Sequence, residues 1–180
     1  MTRRIRVILT IAVISALIGP TPPFTAQSHA ARIELSVRGG PLGFTFEKQP
    51  TLTGVDVTGA DQQVGGTLGL IAIRDARGTG AGWHLIAQAT DFISREDAGH
   101  VIDATGYYVD ASEPATTIAG NVAPLAFSGP LAVPLKILSA PADSGMGHFQ
   151  IEPPVTLDIP ADVFAGTYDS TLTLTILSGP

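Results

Sequence analysis

The stretch Tyr168-Asp169-Ser170-Thr171-Leu172-Thr173-Leu174-Thr175-Ile176 decides the fold class of this chain. Tyr168, Ser170, Leu172, Leu174 and Ile176 fall on one side of an extended backbone, and Asp169, Thr171, Thr173 and Thr175 on the other. Successive side chains of a strand point to opposite faces, so the pattern describes a sheet with one buried and one wet face. A slip of one residue would put every leucine in water, which pins the register. Downstream of Ala31 no apolar period of 3.6 is sustained over a dozen residues, so a helix has nowhere to bury a stripe.

Working outward from this stretch, the same alternation recurs. Ile33, Leu35 and Val37 alternate with Glu34, Ser36 and Arg38, and residues 52–57 repeat the pattern. Residues 67–74 are apolar on both faces, as expected of a strand covered on each side. In the next segment Trp83, Leu85 and Ala87 oppose His84, Ile86 and Gln88, which favours the core for the indole over an exposed aromatic platform for sugar, and a glycine hairpin connection is expected between these two strands. Further strands are expected at residues 100–109, 131–138, 148–151 and 155–159. About eight short strands separated by turn residues predict an all-β chain folded as a single β-sandwich-like domain over residues 31–180. Short helices have room only at residues 91–99 and 160–166, the second opened by Pro160 and closed by Gly166. No internal repeat or biased linker divides the chain.

Composition agrees. Of 180 residues 14% are charged, and 20 Gly with 14 Pro make a turn-rich chain; soluble proteins average roughly 25% charged. Zero cysteine removes disulfides, thiolate-ligated zinc, iron–sulfur clusters and thiol nucleophiles together. The formal net charge of -6 argues against a nucleic-acid partner, because phosphate binding needs a basic face.

Residues 1–30 read as a secretory signal peptide. Arg3, Arg4 and Arg6 form a positive start, residues 7–19 an apolar run too short to span a bilayer, and Ser28 and Ala30 the small residues of a cleavage after Ala30. Removal would leave seven basic against sixteen acidic side chains, a net charge of -9. A secreted, extracellular protein without a membrane span in its mature chain is expected, held at the cell by non-covalent binding.

Residues 75–83 (DARGTGAGW) carry Gly78, Gly80 and Gly82. A dinucleotide loop would need glycine where Trp83 stands and a helix after it. A strand follows instead, so the glycines are expected to supply positive φ in a tight strand connection, with Asp75 bonding nearby amides. Catalysis has little support: His84, His100 and His148 lack metalloprotease spacing, and no nucleophile elbow presents a serine. No cofactor, metal site or catalytic residue is expected.

These residues resemble the WxL domain, a surface module of Gram-positive and related bacteria. Asp75-Ala76-Arg77-Gly78-Thr79-Gly80-Ala81-Gly82-Trp83-His84-Leu85, followed by Ala89-Thr90-Asp91-Phe92, is similar to the family's first motif, and the stretch from Tyr168 to Ile176 to its second. Leu52-Thr53-Gly54-Val55, Asp61-Gln62, Gly65-Gly66-Thr67-Leu68 and Gly145-Met146-Gly147 follow the family's order. The chain departs where typical members carry a second Trp-x-Leu and it has Leu174-Thr175-Ile176. The resemblance implies an all-β fold and non-catalytic, non-covalent binding to the peptidoglycan of the cell wall. The alternative is a structural module that docks onto other exported surface proteins. The wall-binding motif it implies comprises Asp75, Arg77, Gly78, Gly80, Gly82, Trp83 and Leu85 in the first stretch and Tyr168, Leu172, Leu174 and Ile176 in the second.

Overall fold

Alternating sequence becomes alternating burial along the strand Trp83–Ala89: Trp83, Leu85, Ala87 and Ala89 are buried, His84 and Ile86 half-buried and Gln88 exposed. The computed structural model describes residues 4–8 and 32–180. It is 49% strand and 2% helix, an all-β, sandwich-like architecture as expected, with eighteen strands among the described residues in place of about eight. The excess arises because several expected strands are cut by turns and because short strands form where no alternation announces them.

The chain falls into two compact units, one ending at Arg38 and one covering Gly39–Pro180. In the first, β1 (Arg4–Ile8) pairs antiparallel with β2 (Arg32–Ser36). The rest of the expected signal peptide lies outside the described residues. In the second unit the order is β3 (Leu42–Phe46), β4 (Thr51–Leu52), β5 (Gln62–Thr67), β6 (Ile71–Asp75), β7 (Trp83–Ala89), β8 (Phe92–Ser94) and β9 (Val101–Ile102). A 3-10 turn (Ala104–Gly106) leads into β10 (Tyr107–Val109), β11 (Thr116–Gly120), β12 (Leu125–Ala126) and β13 (Gly129–Pro130). The chain closes with β14 (Leu135–Ala140), β15 (Gly147–Ile151), β16 (Pro154–Ile159), β17 (Tyr168–Asp169) and β18 (Leu172–Ser178).

Four antiparallel sheets of the second unit share one core, with orders β13-β10-β16-β5-β4, β11-β15-β6-β3, β12-β14-β7-β18 and β17-β8-β9. Trp83 on β7 meets Phe149 on β15 across the two four-stranded sheets, ring centroids 6.5 Å apart. Around them Leu68, Ile71, Ile73, Leu85, Ile137 and Leu138 are fully buried. Burying a side chain of this size is worth about 1.5–3 kcal/mol, so this row of contacts is a principal term in stability.

Several expectations are corrected. β6 and β7 belong to different sheets, so the glycine segment between them is a sheet-to-sheet corner and not a hairpin. The stretch 168–176 is two strands: Ser170 Oγ donates to Thr90 O and Thr171 N to Thr90 Oγ1, diverting the backbone so that β17 pairs with β8 and β18 with β7. Residues 91–99 form β8 and a turn, because Ser94 Oγ accepts from Glu96 N and Asp97 N. Residues 160–166 make turns, with Ala161 N bonded to Asp61 Oδ1. The strand expected at 52–57 ends at Leu52, the one at 100–109 is interrupted at Ala104–Gly106, and the one at 131–138 is displaced to Leu135–Ala140. β3 and β11 form where none was expected.

Candidate functional site

The first motif builds a corner whose polar groups are satisfied from within. Asp75 ends β6 with its side chain 1% exposed, and Arg77 reaches back with Nε 2.9 Å from Oδ1 and Nη2 2.8 Å from Oδ2. The Arg77 backbone N–H also donates to Oδ1. Burial pushes the Asp75 carboxyl up, but these hydrogen bonds and the guanidinium charge outweigh it and hold the carboxyl below the usual range. Arg77 donates further to Gly82 O and to Ser178 Oγ, tying the corner to the end of β18.

Gly78, Gly80 and Gly82 all have φ between 65° and 71°, the left-handed conformation expected of them. At Gly82 a Cβ would also collide with the Ala140 carbonyl. Trp83 is fully buried, as its alternation implies, and its Nε1–H donates to Gly145 O at 2.8 Å. Gly145 has φ 66°, and a Cβ there would lie 2.7 Å from that indole nitrogen. The segment around Gly145 thus supplies both the acceptor and the room for the indole.

The two motifs meet in one sheet. On the inner side Leu85 pairs with Ile176, Ala87 with Leu174 and Ala89 with Leu172. On the outer side Thr173 lies opposite Gln88, Thr175 opposite Ile86 and Leu177 opposite His84. Leu172, Leu174 and Ile176 are half-buried against the core, so of the residues the resemblance singles out, most are inward and form scaffold. Exposed in these stretches are Ala76, Gly78, Thr79, Ala81, Thr90, Asp91, Asp169, Thr171, Thr173 and Thr175.

β18 is the edge of its sheet. Thr171 O accepts from Thr90 N and Gly179 N donates to Gly82 O, so the odd-numbered residues turn their backbone groups to β7. Leu172, Leu174 and Ile176 turn theirs outward, and among the described residues no strand pairs with them there. The strand LTLTILS carries no charge and no proline.

Tyr168 stands apart from this sheet, half-buried on β17, its hydroxyl donating to Phe164 O at 2.8 Å. It borders a cavity of about 500 Å³ with Phe46, Leu52, Phe92, Tyr107 and Leu172 as apolar lining and Gln49, Asp169 and Ser170 as polar groups. Asp169 is held bidentately by Arg95 at 2.6 and 2.7 Å, which keeps its carboxyl below the usual range. Tyr107 is 5% exposed and packs edge-on against Phe92, centroids 5.2 Å apart. Its hydroxyl makes no hydrogen bond with the described residues and is not enclosed, since the one buried side-chain atom without a partner among them is His148 Nε2; burial of the residue raises its pKa to about 12. Sequence reasoning missed Phe46, Phe92 and Tyr107 as a group. They come from three sheets, and no local pattern joins them.

No group of three or more His, Asp or Glu able to hold a metal ion occurs among the described residues, and no helix there is long and apolar enough to cross a membrane. Compared with known protein families, with curated proteins and with solved structures, the chain matches none.

Proposed function

We propose that the chain is an exported, non-catalytic surface module that attaches non-covalently to the peptidoglycan of the cell wall, a WxL-like domain working without cofactor. One observation carries this reading: the Trp83–Ala89 strand of the first stretch and the Leu172–Ile176 part of the second are adjacent in one sheet, paired from Ala89–Leu172 to Trp83–Ser178 and clamped by Arg77. Two distant motifs that fold into a single unit are what a shared domain signature requires. The aliphatic Leu174 and Ile176 occupy inward positions, so a tryptophan's absence there is a change of packing. The experiment is co-sedimentation of the purified protein with protein-free peptidoglycan. Saturable pelleting is expected, and a protein that stays in solution across buffers would remove this reading.

A second reading, docking onto other exported surface proteins, is favoured by the open edge of β18. An uncharged seven-residue strand with outward backbone groups is a template for strand addition, and edges not meant for pairing usually carry charge, proline or a bulge. Retention on immobilised surface proteins of the same cell, lost when Leu174→Pro blocks the edge in a protein that still folds, would support this reading against the first.

A further inference from the structure

We infer that the segment 32–38 of one copy adds as a strand to the open edge of β18 in a second copy, so that processed chains join head to tail. The inference rests on the exported reading for the removal of residues 1–30, and it gives the edge of β18 an occupant.

The donor is a strand whose apolar face packs on nothing. Ile33 and Leu35 on β2 and Val37 just beyond it stand on one side of an extended backbone, yet they are 62%, 61% and 56% exposed. Side chains of this kind in a row on one strand face ordinarily belong to a core, and left contiguous on a surface they mark a place of contact. The one strand paired with β2 is β1, which lies in the segment expected to be cut away after Ala30. Cleavage therefore takes the backbone partner from β2 and leaves an amphipathic strand close to the new start of the chain.

The acceptor lacks what this donor offers. Leu172, Leu174 and Ile176 face inward but are only half-buried, because β18 is last in its sheet and no further strand flanks it. Their backbone groups turn outward. An antiparallel strand in the register Ile33–Ile176, Leu35–Leu174 and Val37–Leu172 would satisfy those groups and lay its three apolar side chains beside theirs. The i, i+2, i+4 spacing is the same in both strands. Arg32, Glu34, Ser36 and Arg38 then share the wet face with Thr173 and Thr175.

Charge and chain direction both point to a second copy. Residues 32–38 hold two basic side chains and one acidic, a net +1, while residues 39–180 hold five basic against fifteen acidic, a net -10. The segment is thus attracted to the body of another copy, and the uncharged edge of β18 has no side chain that repels it. A chain using its own edge would have to pair in parallel: Gly40 N–H is held by Ala76 O, beside the Arg77 that grips Ser178 at the end of β18. All strand pairs among the described residues are antiparallel, and a parallel pair is less stable per residue. Donor and acceptor are different surfaces, so each copy can do both and the assembly grows as an open chain.

The experiment exploits the absence of cysteine. Full-length precursors with Leu35→Cys or Leu174→Cys are exported separately from a secreting host, their new N-termini read by mass spectrometry, and the processed proteins mixed and oxidised. A disulfide dimer holding one of each copy is expected, at a yield at least tenfold above that of Leu35→Cys mixed with Thr173→Cys, whose side chain lies on the other face. In sedimentation velocity the processed parent should grow with concentration into multiples of the monomer. Leu35→Asp, at an exposed position outside the core, should stay monomeric with an unchanged melting temperature. Equal yields from the Leu174→Cys and Thr173→Cys mixtures, a disulfide closed within one chain when Leu35→Cys and Leu174→Cys are combined, a parent that stays monomeric, or an exported protein that keeps β1 would each overturn the inference. Peptidoglycan pelleting without mixed disulfides would remove this inference and leave wall binding standing, whereas mixed disulfides without pelleting would remove wall binding and leave the strand addition.

Discussion

Trp83 and Tyr107 are both aromatic, both at least 95% buried and both carry one polar hydrogen, yet their surroundings treat that hydrogen oppositely. Around Trp83 the chain supplies an acceptor, Gly145 O, and a glycine conformation that makes room for the ring. Tyr107 borders a cavity, and its hydroxyl makes no hydrogen bond with the described residues but is not enclosed. The difference separates an enclosed polar group from one that water reaches. A buried polar group that is satisfied internally holds its ring in place, whereas a hydroxyl that water reaches needs no partner from the chain. Motif membership does not make this distinction, since Trp83 belongs to the first motif and Tyr107 to neither.

The largest expected effect lies on the enclosed side. Trp83→Ala should cost about 3–5 kcal/mol as a large-to-small core change, a large part of the about 5–15 kcal/mol that holds a domain together. The emission of this single tryptophan should be blue-shifted and poorly quenched by acrylamide. A freely quenchable indole, with a folded Trp83→Ala protein, would erase the contrast with Tyr107.

Next comes the Arg77 clamp. Arg77→Ala leaves the Asp75 carboxylate buried and unpaired, and should cost about 3 kcal/mol in denaturant unfolding. The Asp75→Ala/Arg77→Ala double variant should be less damaged than the two single losses summed, since no lone charge remains. Simple additivity would show that the pair does not act as a unit.

Acid should loosen both regions. Asp75 and Asp169 are each held below the usual range, the first by Arg77 against the effect of burial and the second by Arg95, and Glu96, Asp103 and Asp110 are lowered by backbone hydrogen bonds. A carboxyl whose folded pKa is depressed contributes stability above its unfolded pKa of about 4, lost as pH falls through the folded value. Melting temperature should therefore be flat between pH 7 and 5 and fall below pH 4. A rise on acidification would mean that relief of the acidic net charge outweighs these pairings.

Smaller still is the stability effect on the open side. Tyr107→Phe removes a hydroxyl without a partner, so the unfolding free energy should stay within about 1 kcal/mol of the parent or rise. A loss well beyond that would reveal a hidden partner for the hydroxyl and make Tyr107 scaffold like Trp83. The smallest effect concerns salt. Both carboxylates next to these two regions are already paired with arginines, so pelleting with peptidoglycan should not change as the screening length shrinks from about 10 Å at 0.1 M to about 3 Å at 1 M. A steep loss would point to a basic contact surface, with Arg38, Lys48 and Lys136 the first to replace.

What was legible in the sequence was local. The alternation Leu172, Leu174, Ile176 against Thr173, Thr175 fixed which face of β18 turns inward, and the alternation at Trp83, Leu85 and Ala87 did the same for β7. The glycines of the first motif announced positive φ because only glycine adopts it without strain. β3 was not legible, because Leu42–Phe46 has glycine at its second position and phenylalanines whose burial is only partial. The break at Ser170 and Thr171 was hidden too, since it depends on the side chain and carbonyl of Thr90, eighty residues earlier in the chain.

By itself, then, the sequence determined the all-β class, the positive φ of the first motif's glycines, and the inward or outward sense of β7 and β18, because period-2 alternation and glycine φ preferences act within a few residues. The tertiary structure alone decided that the two motif strands are neighbours, that the glycine segment joins two sheets, and that Phe46, Phe92, Tyr107 and Tyr168 surround one cavity. Those facts depend on which strands pair across long separations, and the free energy that selects the pairing belongs to the whole packed core and is written in no single segment.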